Sequence, residues 1–322
     1  MRGDVKVPKR RFKEFQGTEG WEKHKLFELI NDIADGPFGS DLKAEHYTDE
    51  KEARIIQLSN IGESGWEDEN VRYTTFQHAK KIKRSIVQKG ELVMAKMMPA
   101  GRTIERPNID KMYILSSDSV RIKLNEFLID SKYFISMTKS DFFLEQIDND
   151  TQGSTRTRTS ISKIKKMDIP VPILSEQQQI GSYFKQLDNI ITLNKRKLEK
   201  LKALKKAYLT QMFPAKGKSK PKLRFAGFNN QWEMNRLGDC TGYRRGSFPQ
   251  PYGNPEWYGG DGAMPFVQII DVTKDLTLAE NTKQTISKLA QPFSIFVKKG
   301  SVIVTLQGSI GRVAITQYDA YP

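Results

Sequence analysis

The sequence changes character at Ile169-Pro170-Val171-Pro172-Ile173-Leu174-Ser175-Glu176-Gln177-Gln178-Gln179-Ile180. The two prolines interrupt any regular element, so the region before them is expected to end here. Ser175 is a suitable N-cap, and Gln178 stands three residues later, where a capping-box partner belongs. We therefore predict a long helix over about 176–212, which spans about 55 Å at roughly 1.5 Å per residue.

The predicted helix carries one narrow apolar row. Its members alternate by four and three residues, a period typical of a coiled-coil seam rather than of a wide globular face. Asn194 and Lys205 interrupt the row, and lysines crowd the other faces. We expect this row to pair with another helix. The row consists of Ile180, Phe184, Leu187, Ile191, Leu198, Leu201 and Tyr208.

The sequences on the two sides of this helix repeat each other. Pro8-Lys9-Arg10-Arg11-Phe12 returns as Pro221-Lys222-Leu223-Arg224-Phe225, and the offset drifts only from 213 to 210 farther on. Such a shared register indicates two similar units and two similar sites. Later matches pair Trp21 with Trp232, Gln57 with Gln268, Gly101 with Gly311 and Arg102 with Arg312. Pro322 falls opposite Met112, so we expect the second copy to be truncated.

The region before the helix mixes short strand-like and helix-like patterns. Strands are predicted over 53–58, 91–95 and 119–124, and helices over 26–33 and 131–147. In the second copy, strands are predicted over 266–271, 301–306 and 312–316. We predict an α+β fold with a basic segment at 1–20, a domain at 21–173, the helix at 174–213, a linker at 214–220 and a partial second domain at 221–322.

The charge of the chain favours anionic partners. Its 322 residues include 52 Lys+Arg against 38 Asp+Glu, a net charge of +14. A nucleic acid is the first expectation and a membrane surface the second. The sequence has no run of eighteen apolar residues, and its N-terminus does not read as a signal peptide. The single cysteine, Cys240, fits a reducing compartment, so we expect a cytoplasmic protein without membrane contact.

The chain resembles the specificity (S) subunit of type I restriction-modification enzymes over essentially its whole length. The most specific stretch is 169–180, followed by Leu187-Asp188-Asn189-Ile190-Ile191 and Lys197-Leu198-Glu199-Lys200-Leu201-Lys202. The turn Gly36-Pro37-Phe38-Gly39-Ser40 and the run Thr151-Gln152-Gly153-Ser154-Thr155-Arg156 are similar to segments of that family's target-recognition domains.

The resemblance implies a subunit without catalytic activity. Two target-recognition domains would each read half of a split double-stranded DNA sequence, with paired helices as a ruler between them. Methyltransferase (M) and motor/nuclease (R) subunits would be the partners, and self-pairing through the ruler helix is a further expectation. S-adenosylmethionine, ATP and Mg²⁺ would be bound by those partners, and this chain would bind no cofactor or metal.

DNA contacts are expected in loops rich in hydrogen-bond donors. Lys and Arg neutralise phosphates, and Arg or Gln can read guanine or adenine edges. The candidates are Gln57, Lys96, Arg102, Thr151, Gln152, Ser154, Thr155, Arg156, Arg158, Arg244, Arg245, Gln268, Gln307 and Arg312. Plainer interpretations stand beside them: a solvated loop around 151–159, a tight turn at the repeated Gly-Arg, and a strand cap at the repeated Gln.

Two other functions stay open at this point. The alternatives to a specificity subunit are the recognition half of a restriction-methyltransferase enzyme and an inactive truncated cassette that donates recognition domains by recombination. The sequence contains no phosphate-binding Gly-x-x-x-x-Gly-Lys-Ser/Thr motif and no methyltransferase Asn/Asp-Pro-Pro-Tyr/Phe motif. These absences favour the binding subunit over an enzyme.

Overall fold

The computed structural model describes residues 8–97, 99–109, 111–151 and 158–322, and of 149–151 the backbone only. The chain separates into two units, Met1–Leu209 and Thr210–Pro322. Helices and sheets occur together, so the α+β class is confirmed. The domain limits drawn from the sequence stay a prediction. None of the helices described here has both the length and the apolar character needed to cross a membrane.

The first unit is built on β-sheets of two, four and five strands within its described residues. Its strands are β1 (Glu22–Lys25), β2 (Ile30–Asp35), β3 (Tyr47–Thr48), β4 (Ala53–Ile56), β5 (Tyr73–Thr74), β6 (Ile86–Val87), β7 (Leu92–Ala95), β8 (Thr103–Glu105), β9 (Met112–Leu115), β10 (Ser119–Leu124) and β11 (Asp168–Val171). The sheet orders are β1-β11, β2-β10-β7-β8 and β3-β5-β4-β9-β6. β4 and β9 run parallel, and the other pairs are antiparallel.

The helices of the first unit are mostly short. They are α1 (Phe76–Lys81), α2 (Ser131–Met137), α3 (Asp141–Thr151), α4 (Ile161–Ile164) and α5 (Leu174–Gln211). Single 3-10 turns lie at Lys13–Phe15, Leu26–Glu28, Ala44–His46, Leu58–Asn60 and Lys83–Ser85. Among these described helices, α5 is the only one longer than eleven residues. Because a helix rises about 1.5 Å per residue, α5 is long enough to extend far from the sheets.

The helix predicted over 26–33 is wrong. One 3-10 turn covers Leu26–Glu28, and the chain then continues as β2. β2 pairs antiparallel with β10, where Asp32 lies opposite Lys123. Pairing with a strand far along the chain therefore determined that this segment is extended rather than helical. The local spacing of apolar residues does not indicate such a pairing.

The single helix predicted over 131–147 is two helices. α2 ends at Met137 and α3 starts at Asp141. Between them the Thr138 hydroxyl donates to the carbonyl of Ile135, and the Ser140 hydroxyl donates to that of Met137. Such side-chain bonds to the backbone offer an alternative to continued helix, which explains the break.

One apolar cluster joins the four-stranded sheet to the helices. Leu92 and Met94 of β7, Ile122 of β10, and Phe134 and Phe143 of α2 and α3 are all fully buried in it. The helices therefore cover one face of that sheet. Burying these side chains is the main favourable contribution to folding of this part, at about 1.5–3 kcal/mol for each large one.

The predicted long helix is present, but its first residue lies one position before the predicted N-cap, Ser175. Leu174 is its first residue, and the carbonyl of Ile173 accepts hydrogen bonds from the amides of Glu176 and Gln177. Ser175 therefore lies inside the first turn and does not cap the helix. The predicted end near 212 agrees with the observed end at Gln211.

The second unit repeats the strand pairing of the first. Its elements are α6 (Leu237–Cys240), β12 (Met264–Phe266), β13 (Gln284–Ile286), β14 (Val302–Val304) and β15 (Val313–Ile315), with 3-10 turns at Pro255–Trp257, Ile269–Asp271 and Gln291–Phe293. β12–β13 corresponds to β4–β5, and β14–β15 to β7–β8. In β7–β8 Val93 lies opposite Ile104, and 210 residues later Ile303 lies opposite Ala314.

Candidate nucleic-acid interface

A basic cleft lies beside the edge strand β2 of the first unit. We define it by residues 33–39, by residues 81–85 at and after the end of α1, and by the single residues Asp41, Lys96, Ser117, Arg158 and Ile161. Its volume is about 780 Å³. Five positive side chains line it against two carboxylates, those of Asp35 and Asp41. The charge balance suits an anion larger than a single phosphate.

Two of the predicted DNA contacts, Lys96 and Arg158, meet in this basic cleft. Lys96 is almost fully buried, and its ammonium group is paired with the Asp35 carboxylate. Arg158 is about half exposed, and its guanidinium donates to the carbonyl of Ser117 at 2.7 Å. Lys96 therefore supports the wall of the cleft, while Arg158 still has donors directed to solvent.

A polar cleft adjoins the basic cleft and shares Ser117 with it. It is lined by Leu42, Tyr47, residues 57–59 and residues 116–118, and its volume is about 350 Å³. Within the described residues, Gln57 Oε1 and Ser116 Oγ are buried and have no hydrogen-bond partner. Buried polar atoms usually find partners, so these two are available to a ligand or to water.

The repeated glutamines have one backbone role in both units. Each stands directly before a 3-10 turn, and its backbone N–H donates to the side chain of the residue three positions later. Gln57 donates to Asn60 at 2.9 Å and Gln268 to Asp271 at 2.8 Å. Asn60 and Asp271 are buried, and the duplication of this turn went unnoticed in the sequence. The turn gives the glutamine the same backbone conformation in both units.

The repeated arginines of the Gly-Arg pairs also make matching contacts. Arg102 donates to the carbonyl of Ile61 at 3.4 Å, and Arg312 donates to that of Val272 at 3.5 Å. Gly101 and Gly311 both have φ near +80°, which residues with a Cβ rarely adopt. The shared geometry supports an architectural role, with DNA contact by these arginines still a prediction.

The remaining candidates are dispersed. Arg244, Arg245 and Gln307 are exposed in the second unit, outside regular elements. Gln152, Ser154, Thr155 and Arg156 lie outside the described residues, as does the side chain of Thr151. Sequence reasoning did not select Lys81, Lys83 and Arg84, which the fold brings to the basic cleft. The signal available in the sequence was the density of basic residues in Lys80-Lys81-Ile82-Lys83-Arg84.

The start of α5 is fixed to the first unit by a buried ion pair. The Arg11 guanidinium holds both carboxylate oxygens of Glu176, at 2.7 and 2.6 Å, and the indole of Trp21 donates to the same group at 3.3 Å. Glu176 is fully buried, and the hydrogen bond from Arg11 raises the pKa of that guanidinium. The duplicated segment around Arg11 therefore seats the helix.

Two further groups support this junction. Tyr133 donates its hydroxyl to the carbonyl of Pro170 at 2.6 Å, and burial raises the pKa of this phenol. The Asp168 carboxylate of β11 forms ion pairs with Lys23 and Lys25 of β1. Burial acts to raise the pKa of Asp168, but hydrogen bonding to these lysines together with their positive charge outweighs burial and holds the pKa below its usual value. The β1–β11 pair is thereby strengthened at neutral pH.

Beyond its first turns, the apolar row of α5 is exposed. Phe184, Leu187, Ile191, Leu198, Leu201 and Tyr208 are each between 37% and 52% exposed. Only Ile180, at the start of the row, packs against the core of the first unit. The row therefore has the surface that helix pairing requires, and pairing itself stays a prediction.

Residues 19–203 match the family model described as the type I restriction modification DNA specificity domain. The match covers more than half of the chain, including the two clefts and most of α5. The chain belongs to this family.

Two curated relatives come from Methanocaldococcus jannaschii. The MjaVIII type I restriction enzyme specificity subunit is 23% identical over 202 residues, which are 62% of this chain and 46% of the relative. The MjaIX specificity subunit is 23% identical over 223 residues, 64% of this chain and 48% of the relative. The chain spans about half the length of these relatives. A solved type I restriction-modification S subunit from M. genitalium aligns with a TM-score of 0.49 at 16% identity, over 98% of this chain and 73% of that one.

Proposed function

We propose that this chain is a DNA-recognition subunit of a type I restriction-modification complex. It binds double-stranded DNA through the basic and polar clefts and has no catalytic role of its own. The family match over residues 19–203 carries the proposal. The recognition half of a restriction-methyltransferase and the inactive cassette gain no specific support from the clefts.

The two clefts make different contacts with DNA. Lys81, Lys83 and Arg84 are exposed in the basic cleft and contact phosphates. Gln57 in the adjoining polar cleft has an unsatisfied side-chain oxygen, and a glutamine can pair with the edge of an adenine. Phosphate contacts position the duplex, and the glutamine contributes to the choice of sequence.

Partner subunits supply the chemistry. The exposed apolar row of α5 docks methyltransferase subunits, and motor/nuclease subunits join the assembled complex. S-adenosylmethionine, ATP and Mg²⁺ belong to these partners. This division agrees with a chain whose charge and clefts suit binding rather than reaction.

DNA titration at several salt concentrations tests the basic cleft. The double substitution Lys83→Ala with Arg84→Ala should weaken binding to a mixed-sequence duplex, because two phosphate contacts are lost. The slope of log K against log salt should then fall by about 1–2. The matched control is Lys51→Ala with Lys89→Ala, two exposed lysines outside both clefts. Equal slopes for the two double variants would contradict a DNA-binding cleft.

A co-expression experiment tests the function in the complex. The chain is purified with the methyltransferase subunit of a type I system, and modified adenines are then mapped by sequencing. A defined methylated motif that changes with Gln57→Ala supports sequence reading by the polar cleft. Co-purification without any methylated motif would contradict the proposed recognition role.

A further inference from the structure

Phe38 presents a large apolar side chain to solvent in the basic cleft. It is 81% exposed, and among the described residues that line the cleft it is the one aromatic side chain. Single exposed apolar side chains are common on proteins and need no explanation by themselves. The backbone that carries Phe38 and the charges around it therefore decide what this ring can do.

The backbone before Phe38 is fixed to the body of the first unit. The N–H of Gly36 donates to the carbonyl of Ser119 at 3.0 Å, and Pro37 is buried. A Cβ at Gly36 would collide with the carbonyl oxygen of Ser116, so the loop lies as close to its neighbour as only a glycine permits. Phe38 is thus exposed on a loop that is itself closely packed.

The backbone after Phe38 is fixed as well. The N–H of Asp41 donates to the carbonyl of Phe38 at 2.8 Å and closes a turn. The carbonyl of Asp41 in turn accepts from Nε2 of His78 in α1 at 2.7 Å. Because α1 ends at Lys81, the turn that carries the ring is tied to the helix that leads into the basic residues of the cleft. A ring held in this way loses little conformational freedom when it binds.

The charges of the cleft indicate what this ring would meet. Lys81, Lys83 and Arg84 are exposed in the same cleft and attract the phosphates of a duplex. A phenyl ring gains nothing from a phosphate, and the apolar surfaces of DNA are the faces of its bases. Proteins that bend DNA insert apolar side chains such as phenylalanine and leucine between neighbouring base pairs. The position of Phe38 suits this role.

We propose that Phe38 is an apolar wedge that enters a base step of the bound duplex. This inference rests on the DNA binding by the basic cleft proposed above. Lys83 and Arg84 hold backbone phosphates, while the ring of Phe38 partly unstacks two neighbouring base pairs. Pyrimidine–purine steps such as TA unstack at the lowest cost, and A-tracts are stiff. Phe38 therefore favours sites with a TA step and contributes to sequence choice without a hydrogen bond.

Titration of the full chain against a mixed-sequence duplex with TA steps, at several salt concentrations, tests the wedge. Phe38→Ala should weaken binding by about fivefold or more at every salt concentration, as expected for the loss of one base contact. The slope of log K against log salt should stay unchanged, because no phosphate contact is lost. Phe38→Leu keeps an apolar wedge and should bind within about twofold of the unaltered chain. Phe127→Ala is the matched control, since Phe127 is 91% exposed and lies outside both clefts.

A fluorescent base reports the unstacking directly. The adenine of each TA step is replaced by 2-aminopurine, whose fluorescence is quenched while it is stacked in a duplex. At saturating protein, the unaltered chain, Phe38→Leu and Phe127→Ala should raise the fluorescence, whereas Phe38→Ala should not. A signal that does not depend on Phe38 would overturn the proposal.

The titration separates failure of the wedge from failure of DNA binding. If the unaltered chain binds DNA and Phe38→Ala binds as tightly as Phe127→Ala, the wedge alone is overturned. A smaller salt slope with Phe38→Ala would overturn it as well, since the ring would then act through the phosphate contacts. If the unaltered chain binds no DNA, the proposed function and the wedge are both wrong.

Discussion

At the residue scale, one buried carboxylate organises the start of the long helix. Glu176 is fully buried, and Arg11, 165 positions earlier, meets it with two hydrogen bonds. A buried charge is tolerated only when it is paired and hydrogen-bonded. Arg11, which lies in the basic segment predicted over 1–20, is therefore part of the folded unit, and charge alone did not indicate this in the sequence.

Arg11→Ala should lower the denaturant concentration at which the first unit unfolds, because Glu176 is left buried without its cation. Chemical denaturation followed by circular dichroism measures the loss. Arg10→Ala removes the neighbouring exposed arginine and should change stability by less than about 0.5 kcal/mol. If both variants unfold at the same denaturant concentration, the ion pair does not stabilise the fold.

At the element scale, α5 is seated by close backbone contact. A Cβ at Gly181 would lie 2.4 Å from the backbone nitrogen of Tyr133 in α2. One turn earlier, Gln177 donates to the carbonyls of Pro172 and Leu128 and accepts from the amide of Asp130. The first turns of the helix are thus fixed to the first unit, and the apolar row beyond them is exposed.

Gly181→Ala should lower the melting temperature, although alanine normally favours a helix over glycine by about 1 kcal/mol. The added methyl forces α5 away from α2, at an expected cost of about 1–3 kcal/mol. Differential scanning calorimetry gives the shift. Gln186→Ala, on the exposed part of the same helix, is the comparison and should leave the melting temperature unchanged or slightly higher. A rise with Gly181→Ala would show that α5 does not pack this tightly.

Elements differ in how far local sequence predicts them. α5 was predicted to within two residues at each end because its 3.5-residue period is local and continues for over four heptads. The segment 26–33 was predicted wrongly because β2 depends on pairing with β10. Strands β7 and β10 were found because their apolar runs are short and bounded by turns.

At the scale of the whole molecule, the exposed apolar row on α5 offers a surface on which another helix can pack. Leu198 and Leu201 are each 52% exposed on it. A helix with such a row is more stable when the row is covered. We expect the purified chain to self-associate through this row when methyltransferase subunits are absent.

Light scattering after size-exclusion chromatography should show an assembly larger than one chain. Leu198→Glu with Leu201→Glu should convert it to monomer, because charges replace the apolar contact. Gln186→Glu with Asn189→Glu adds the same charge at exposed positions outside the row and should leave the assembly intact. A monomer for the unaltered chain at micromolar concentration would contradict self-pairing.

The sequence by itself determined the features that depend on local or periodic order. These are the duplication, the long helix with its apolar row, the α+β class and the basic character of the chain. Tertiary structure alone decided which distant residues meet: Arg11 with Glu176, Lys83 and Arg84 with Arg158, and β2 with β10. The period of a helix or strand is set by local backbone geometry, so the sequence pattern shows it directly. Contacts between distant segments form only when the chain folds and brings those segments together.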